Sequence, residues 1–198
     1  MTRSMSRRDM IKSLGTGVVA GSMTRVVSVQ AAERAHALVE TEMTSGSASG
    51  YQPKFFSVRQ YKTLQALCDA IIPACDQTGG AMEAGAPQFI DLLTSENSEY
   101  QLKLGGGMMW LDSACLDRFG VSYIGCSADQ HKQILDAIAY RKNAAADPRL
   151  SQGVAFFSLL RNLTADGFFT SKIGIQYLGY VGNTSLAEFP GCPDVPKT

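Results

Sequence analysis

The sequence SVRQYKTLQALCDAIIP, residues 57–73, carries the clearest helix signal in the chain. Ser57 and Gln60 have the spacing of a capping box, in which each side chain accepts a hydrogen bond from the other residue's backbone N–H. Pro73 ends the run, because proline has no N–H to donate and its ring clashes with the preceding turn. Apolar residues recur between these signals with helical spacing, at Leu64, Leu67, Cys68 and Ile71. The stretch predicts an amphipathic helix at the start of a folded body.

Four more helices are predicted downstream, because apolar residues recur there with the same spacing. Pro87 suits the first position of a helix, and Ser127 begins a second capping box. Gly120 suits the residue that follows a helix end. The four helices span about residues 87–94, 99–119, 127–140 and 156–167. The predicted fold class is therefore mostly α, a compact helical domain of about five helices.

After Ser171 the sequence becomes rich in glycine, proline and aromatic residues, and its alternation is too weak to predict a strand. We expect a long irregular C-terminal arm that either packs on its own helices or covers a partner, since aromatic residues are enriched at interfaces. Its candidate partner contacts are Tyr177, Tyr180 and Phe189. Cys192 is the candidate for an inter-subunit disulfide or a partner contact, because an odd cysteine count of five suggests pairing with another chain.

The N-terminus has the pattern of a twin-arginine export signal. Arg7 and Arg8 stand before two apolar residues and a lysine, and a small-residue stretch follows at 13–24. That stretch is too short to span a bilayer, which takes about 20 apolar residues. We therefore expect no transmembrane anchor, cleavage after Ala31, and export to the periplasm. Ala35 and Ala37 offer a second choice of cleavage position.

The predicted organisation has three parts. Residues 1–31 are the signal, residues 32–54 form a polar linker, and residues 55–198 form the helical domain. The linker is predicted from its composition, which includes a run of small polar residues at 44–50.

The charge balance argues against nucleic-acid binding. The 198 residues contain 18 basic and 18 acidic side chains, and five of the basic ones but only one acidic one lie in the signal. The mature chain is therefore mildly acidic and lacks the basic stripe that phosphates require.

No motif in the sequence predicts a cofactor, metal or catalytic site. The three glycines at 105–107 are not preceded by a β-run, so a helix kink, a helix start or a close helix approach is favoured over phosphate binding. His36 lies in the polar stretch after the signal, and His131 is expected to face solvent at a helix start. There is no Cys-x-x-Cys-His motif for haem and no ligand spacing for a metal. We therefore expect a chain that is not an enzyme by itself.

The order of four segments is characteristic: IIPACD at 71–76, AGAPQFID at 84–91, FFSLLRNLTADGFF at 156–169 and YLGYVGN at 177–183. With them, residues 56–193 resemble the gluconate 2-dehydrogenase subunit 3 family, the small subunit of FAD-dependent sugar, polyol or glycoside dehydrogenases. SKIG at 171–174 stands where many members have Gly-Gly-Asn.

The resemblance implies an accessory subunit that exports and stabilises a large flavoprotein of the glucose–methanol–choline type. FAD is expected in that partner, and haem c in a cytochrome c that accepts the electrons. One alternative is a stand-alone periplasmic binding module. Another is an enzyme that uses Asp69, Asp76 or Asp91 in acid–base chemistry, although isolated aspartates in helices are more often solvated or capping residues.

Overall fold

The computed structural model describes residues 29–44, 51–75 and 78–182. Within these ranges the chain forms helices and no β-strand, which confirms the mostly α prediction. The α-helices of the described residues are α1 Val29–Thr44, α2 Val58–Ile71, α3 Ala86–Glu96, α4 Ser98–Phe119, α5 Ala128–Ile138, α6 Arg141–Ala146, α7 Ser151–Phe169 and α8 Lys172–Tyr177. Two short 3₁₀ turns join them, Tyr123–Gly125 and Pro148–Leu150.

All five predicted helices are present, and their ends lie within two residues of the prediction except at the start of α7, which begins at Ser151 and not at 156. Both capping boxes form, at Ser57 before α2 and at Ser127 before α5. Gly120 follows α4 with φ of 75°, a left-handed conformation that glycine adopts without a steric penalty. Local sequence signals therefore determine where these helices begin and end.

α1 lies where the sequence predicted the end of the signal and a polar linker. Ala35 and Val39, four residues apart, are buried, and α1 contacts α3. The ring of His36 stacks on Phe89 of α3, with 4.9 Å between ring centroids. The linker prediction is wrong for residues 32–44, because two small apolar residues and one imidazole are enough to hold an otherwise polar helix against the body. Residues 45–50 lie outside the described residues.

Two further helices were missed. α6 is a six-residue helix without a buried side chain, so its sequence has no apolar periodicity that would predict a helix. α8 begins where the irregular arm was predicted, and its N-terminus is capped by the Ser171 hydroxyl, which accepts a hydrogen bond from the Gly174 N–H at 3.1 Å. The arm prediction is wrong for residues 172–177 and holds for residues 178–182, which form no helix or strand.

α3 is the central helix of the domain. It contacts α1, α2, α4 and α7, and it buries residues around most of its circumference. A helix in that position is expected to be apolar all round, yet α3 contains the fully buried carboxylate of Asp91.

Asp91 holds the segment that leads into α2. Its Oδ2 accepts hydrogen bonds from the Tyr51 hydroxyl at 2.8 Å and the Lys54 N–H at 2.6 Å. Its Oδ1 accepts from the N–H groups of Phe55 at 3.1 Å and Phe56 at 3.0 Å. Hydrogen bonds to the charged form compensate the loss of water around a buried carboxylate. Asp91 is therefore a structural clamp, and its oxygens are already engaged.

α4 and α7 cross at a point where each helix contributes a glycine. A Cβ placed on Gly107 of α4 would lie 2.0 Å from the Phe156 ring of α7. A Cβ placed on Gly153 of α7 would lie 2.2 Å from the Trp110 ring of α4. Each aromatic ring thus occupies the space above the other helix's glycine. Of the alternatives predicted for the glycine run at 105–107, the close helix approach is the one observed.

Candidate partner-binding surface

One face of α4 carries apolar side chains that point away from the core. Leu102, Met109 and Leu116 are 78%, 71% and 51% exposed. Their seven-residue spacing is close to two helical turns, so they form one stripe along the helix. We call these three residues the α4 stripe. The opposite face of α4 is the one that enters the core, through Leu104, Met108, Leu111 and Cys115.

Three charged side chains near the α4 stripe, Glu99, Lys103 and Asp112, are engaged in pairs. Lys103 pairs with Glu99 within α4, with 2.7 Å between Nζ and Oε1. Asp112 pairs with Arg59 of α2 at 3.2 Å and also accepts the Tyr123 N–H at 3.0 Å. These pairs leave the stripe itself apolar.

Gly106 lies on the same helical face, between Leu102 and Met109. The side-chain amide of Gln152 on α7 donates a hydrogen bond to the Gly106 carbonyl at 3.3 Å. A row of exposed apolar side chains is suited to contact another protein.

A second exposed apolar surface lies at the C-terminal end of the described chain. Tyr177 and Tyr180, two of the predicted partner contacts, are 58% and 54% exposed. Tyr177 also contacts Phe168 edge to face, with ring centroids 6.4 Å apart. We call this the C-terminal apolar surface, and its members are Ile175, Tyr177, Leu178, Tyr180 and Val181.

An open cleft of about 750 Å³ lies among α4, α6 and α7. Its lining mixes both signs of charge: Glu99 and Lys103 from α4, Arg141 from α6 and Asp166 from α7. Burial raises the pKa of the Asp166 carboxyl above its ordinary value. The cleft is therefore mixed in character, since charged side chains of both signs lie beside apolar ones such as Val154 and Leu159.

Residues 58–191 match the family model described as Gluconate 2-dehydrogenase subunit 3, which is more than half of the chain. The chain belongs to the gluconate 2-dehydrogenase subunit 3 family. No curated protein and no solved structure matches it. Family membership makes this chain a subunit of a dehydrogenase complex, so surfaces that contact other subunits are its expected functional sites.

The matched region of this subunit 3 chain contains both apolar surfaces and begins at the first residue of α2. Sequence reasoning found Tyr177 and Tyr180 but missed the α4 stripe. In the sequence, Met108 and Met109 are adjacent and equally apolar. Only the packing of α4 against α7 shows that Met108 is buried and Met109 exposed.

The other predicted site residues of this family member lie outside the described residues. These are Arg7 and Arg8 of the export signal, and Phe189 and Cys192 of the arm. Their roles stay predictions.

Both histidines of the subunit have packing contacts. His131 stacks on Tyr123 with ring centroids 4.3 Å apart, and its Nε2 lies 2.7 Å from the Tyr123 carbonyl oxygen. The prediction of a solvent-facing His131 is therefore wrong, since the 3₁₀ turn before α5 folds back over the imidazole. His36 Nε2 lies 2.6 Å from the Thr170 hydroxyl, which connects α1 to the end of α7.

Four cysteines of the subunit are described, and all four are free thiols. Cys68 is a core residue whose Sγ lies 3.6 Å from the Thr164 hydroxyl, and burial raises its pKa to about 12. Cys75 is exposed. Cys115 is buried and Cys126 half-buried.

The described residues contain no group of three His, Cys, Asp or Glu side chains arranged to hold a metal ion. Among the same residues, no helix has the length and apolar character needed to cross a membrane.

Proposed function

We propose that this chain is a non-catalytic subunit that binds and stabilises a large FAD-dependent dehydrogenase of the glucose–methanol–choline type and accompanies it through twin-arginine export. FAD resides in that partner. A cytochrome c subunit with haem c accepts the electrons. The complex oxidises a sugar, a polyol or a glycoside in the periplasm.

The α4 stripe is the observation that carries this proposal. Three large apolar side chains in one line are each more than half exposed, although the domain has a well-filled core of its own. Burying such a side chain is worth about 1.5–3 kcal/mol relative to leaving it exposed. A large partner subunit that covers the stripe would gain that free energy, and family membership supplies the reason to expect such a partner.

The C-terminal apolar surface supports the same proposal from another part of the chain. Tyrosines are frequent at interfaces because they bring a large apolar area and one hydrogen-bonding group. The arm continues beyond residue 182 towards Phe189 and Cys192, which extends the predicted contact.

The export part of the proposal rests on Arg7 and Arg8. The twin-arginine route carries folded proteins, so one signal can export a partner that already holds its flavin and has no signal of its own. A cofactor-free chain with an export signal and exposed apolar surface fits that role.

The test of the interface is purification of the tagged chain from its native host, with the flavin absorbance of the co-purified protein as the readout. Leu102→Glu and Met109→Glu place a carboxylate in the α4 stripe, and Gln133→Glu places one at an exposed position of α5 as the matched control. We expect the flavin-containing partner to co-purify with wild type and with Gln133→Glu, and to be lost from the stripe variants. Retention of the partner by both stripe variants would place the interface elsewhere.

The test of export follows the flavoprotein activity in cell fractions. Arg7→Lys combined with Arg8→Lys should leave the dehydrogenase in the cytoplasm, whereas Arg3→Lys, outside the pair, should leave it in the periplasm. Periplasmic activity with the double variant would contradict the escort role and leave the subunit role intact.

The second candidate function is a stand-alone periplasmic binding module, and the cleft among α4, α6 and α7 is what favours it. It predicts that the chain purified from its native host is alone, colourless and monomeric. In that case Arg141→Ala, which removes a charge from the cleft, should weaken ligand binding. A co-purifying flavoprotein would decide against this candidate.

A further inference from the structure

Asp166 of α7 has a half-buried carboxylate without a partner among the described residues. Its backbone carbonyl accepts a hydrogen bond from the Thr170 hydroxyl, but no donor or cation of those residues binds its side chain. Four other carboxylates with described side chains are buried or half-buried, and each of them has an N–H donor or a cation beside it: Asp91, Glu99, Asp112 and Asp147. A carboxylate that loses water on folding without gaining a donor costs free energy. A cation from outside the domain would offset that cost at Asp166.

Asp166 lines the open cleft among α4, α6 and α7. α4 and α7 run antiparallel across their glycine crossing, so Asp166, near the end of α7, lies close to the level of the first turn of α4. Glu99 lines the cleft from that turn and pairs with Lys103. The remaining cation of the lining, Arg141, is exposed and therefore hydrated. The charge that lacks compensation in the cleft is the negative charge of Asp166.

Two further acceptors line the cleft from α7. Ser158 and Asn162 stand eight and four residues before Asp166, so successive side chains of the three are about 6 Å apart along the helix axis. Among the described residues, neither Ser158 nor Asn162 has a side-chain hydrogen-bond partner. Leu159 and Leu163 also line the cleft. The hydroxyl and the amide oxygen can accept hydrogen bonds, and the leucines suit the methylene stem of a long cationic side chain.

We propose that the cleft receives an arginine side chain of the flavoprotein partner, whose guanidinium pairs with Asp166. A guanidinium has five N–H donors in a planar fork, which can bind a carboxylate through two parallel hydrogen bonds. The donors that remain can reach Asn162 and Ser158, whereas a lysine ammonium is a compact point charge without this fork. This inference rests on the proposed function, which supplies the partner.

The cleft adjoins the surface already assigned to that partner. Glu99 and Lys103, which form its α4 wall, lie about one turn before and one residue after Leu102 of the α4 stripe. A partner that covers Leu102 therefore also reaches the mouth of the cleft. The apolar stripe would supply contact area, and the pairing with Asp166 would fix the orientation of the partner.

Asp166 also lowers the stability of the free chain. Burial raises the pKa of its carboxyl above the ordinary value, so the ionised side chain opposes folding at neutral pH. Residues that cost stability in the free protein are typical of functional sites. Asparagine at this position should therefore stabilise the free chain and weaken the complex, whereas a merely structural role predicts that both lose stability together.

The experiment purifies the tagged chain from its native host and follows, by flavin absorbance, how fast the flavoprotein leaves the resin-bound chain during washing. We expect Asp166→Asn to raise this release rate at least about tenfold, because removing one member of a desolvated charge pair acts mainly on dissociation. Asp166→Glu keeps the charge in an open cleft and should stay within about threefold of wild type. The matched control is Asp136→Asn, which makes the same change at an exposed carboxylate of α5 paired with Lys132 and should leave the rate unchanged. The free Asp166→Asn chain should have a Tm no lower than that of wild type.

Two results would overturn this inference and leave the proposed function intact. One is a release rate of Asp166→Asn equal to that of wild type. The other is faster release together with a lower Tm of the free variant, which would mean a structural role. A wild-type chain that brings no flavoprotein with it would overturn both the inference and the proposed function.

Discussion

The crossing of α4 and α7 predicts that alanine has opposite effects at two neighbouring glycines. In Gly107→Ala the new Cβ would lie 2.0, 2.3 and 2.7 Å from Cδ2, Cγ and Cβ of Phe156. All three distances are far below van der Waals contact. Two of these atoms, Cβ and Cγ, join the ring to the backbone, so rotating the far end of the ring would not remove the clash. In Gly106→Ala the nearest atom is Gln152 Nε2 at 3.6 Å, an ordinary contact.

The magnitudes follow from two opposing terms. Displacing a buried phenylalanine costs about 3–5 kcal/mol, by analogy with its truncation, while replacing glycine by alanine inside a helix gains about 1 kcal/mol. We therefore expect Gly107→Ala to lose about 2–4 kcal/mol of unfolding free energy. Gly106→Ala keeps only the favourable term and should gain up to about 1 kcal/mol.

The assay is urea unfolding of the full-length chain, followed by circular dichroism, for wild type and both variants. For a chain of this size a loss of 1 kcal/mol lowers Tm by about 2–4 °C, so Gly107→Ala should also melt about 4–16 °C earlier. Gly105→Ala, whose Cβ would lie 3.6 Å from Phe55, is a second control. Equal stability of the Gly107 and Gly106 variants would refute the close approach of α4 and α7.

Three more outcomes are expected. Asp91→Ala leaves three backbone N–H groups and the Tyr51 hydroxyl without the carboxylate that accepts from them, so thermal unfolding should show a loss of more than about 3 kcal/mol, against about 1 for Tyr51→Phe; a loss below 1 kcal/mol in the alanine variant would contradict the clamp. Burial raises the folded-state pKa of Asp166, which means that ionisation of this carboxyl opposes folding as pH rises. Asp166→Asn should therefore stabilise the chain near neutral pH, and this gain should disappear at about pH 3, below the unfolded pKa; a gain that is independent of pH would point to another cause. Gly153→Ala would displace the ring of Trp110, the single tryptophan of the chain, so its fluorescence maximum should shift; an unchanged spectrum would argue against the contact.

Local signals made the helices predictable. Two capping boxes, at Ser57 and Ser127, and one C-terminal glycine, Gly120, gave helix ends that the structure reproduces. These signals depend on residues within four positions of each other, and a single sequence contains that information in full. α1 was missed for the converse reason: its stability comes from contacts of Ala35 and Val39 with another helix, and its own composition resembles a linker.

Long-range relations were not predictable. Asp91 could be read as a solvated or acid–base carboxylate, because the Tyr51 hydroxyl and the three N–H groups that bind it lie 35–40 residues earlier.

The two faces of α4 show why the candidate partner surface could be identified only from the structure. Periodicity detects an apolar stripe but does not say whether the chain's own core or another subunit covers it. α4 carries both kinds: Met108 and Leu111 enter the core, while Met109 and Leu116 remain outside it. A helix with apolar residues on two faces loses its amphipathic contrast, so its sequence resembles that of a wholly buried helix.

The contacts of α1 also bear on where the folded body begins. Cleavage of the signal after Ala31 keeps the buried side chains of Ala35 and Val39 and the stacking of His36 on Phe89. Cleavage after Ala35 would remove the buried side chain of Ala35 and expose the part of the body that it covers. The packing of α1 therefore requires a mature chain that still contains Ala35, and a mature chain that begins beyond Ala35 would mean that α1 is dispensable for the fold.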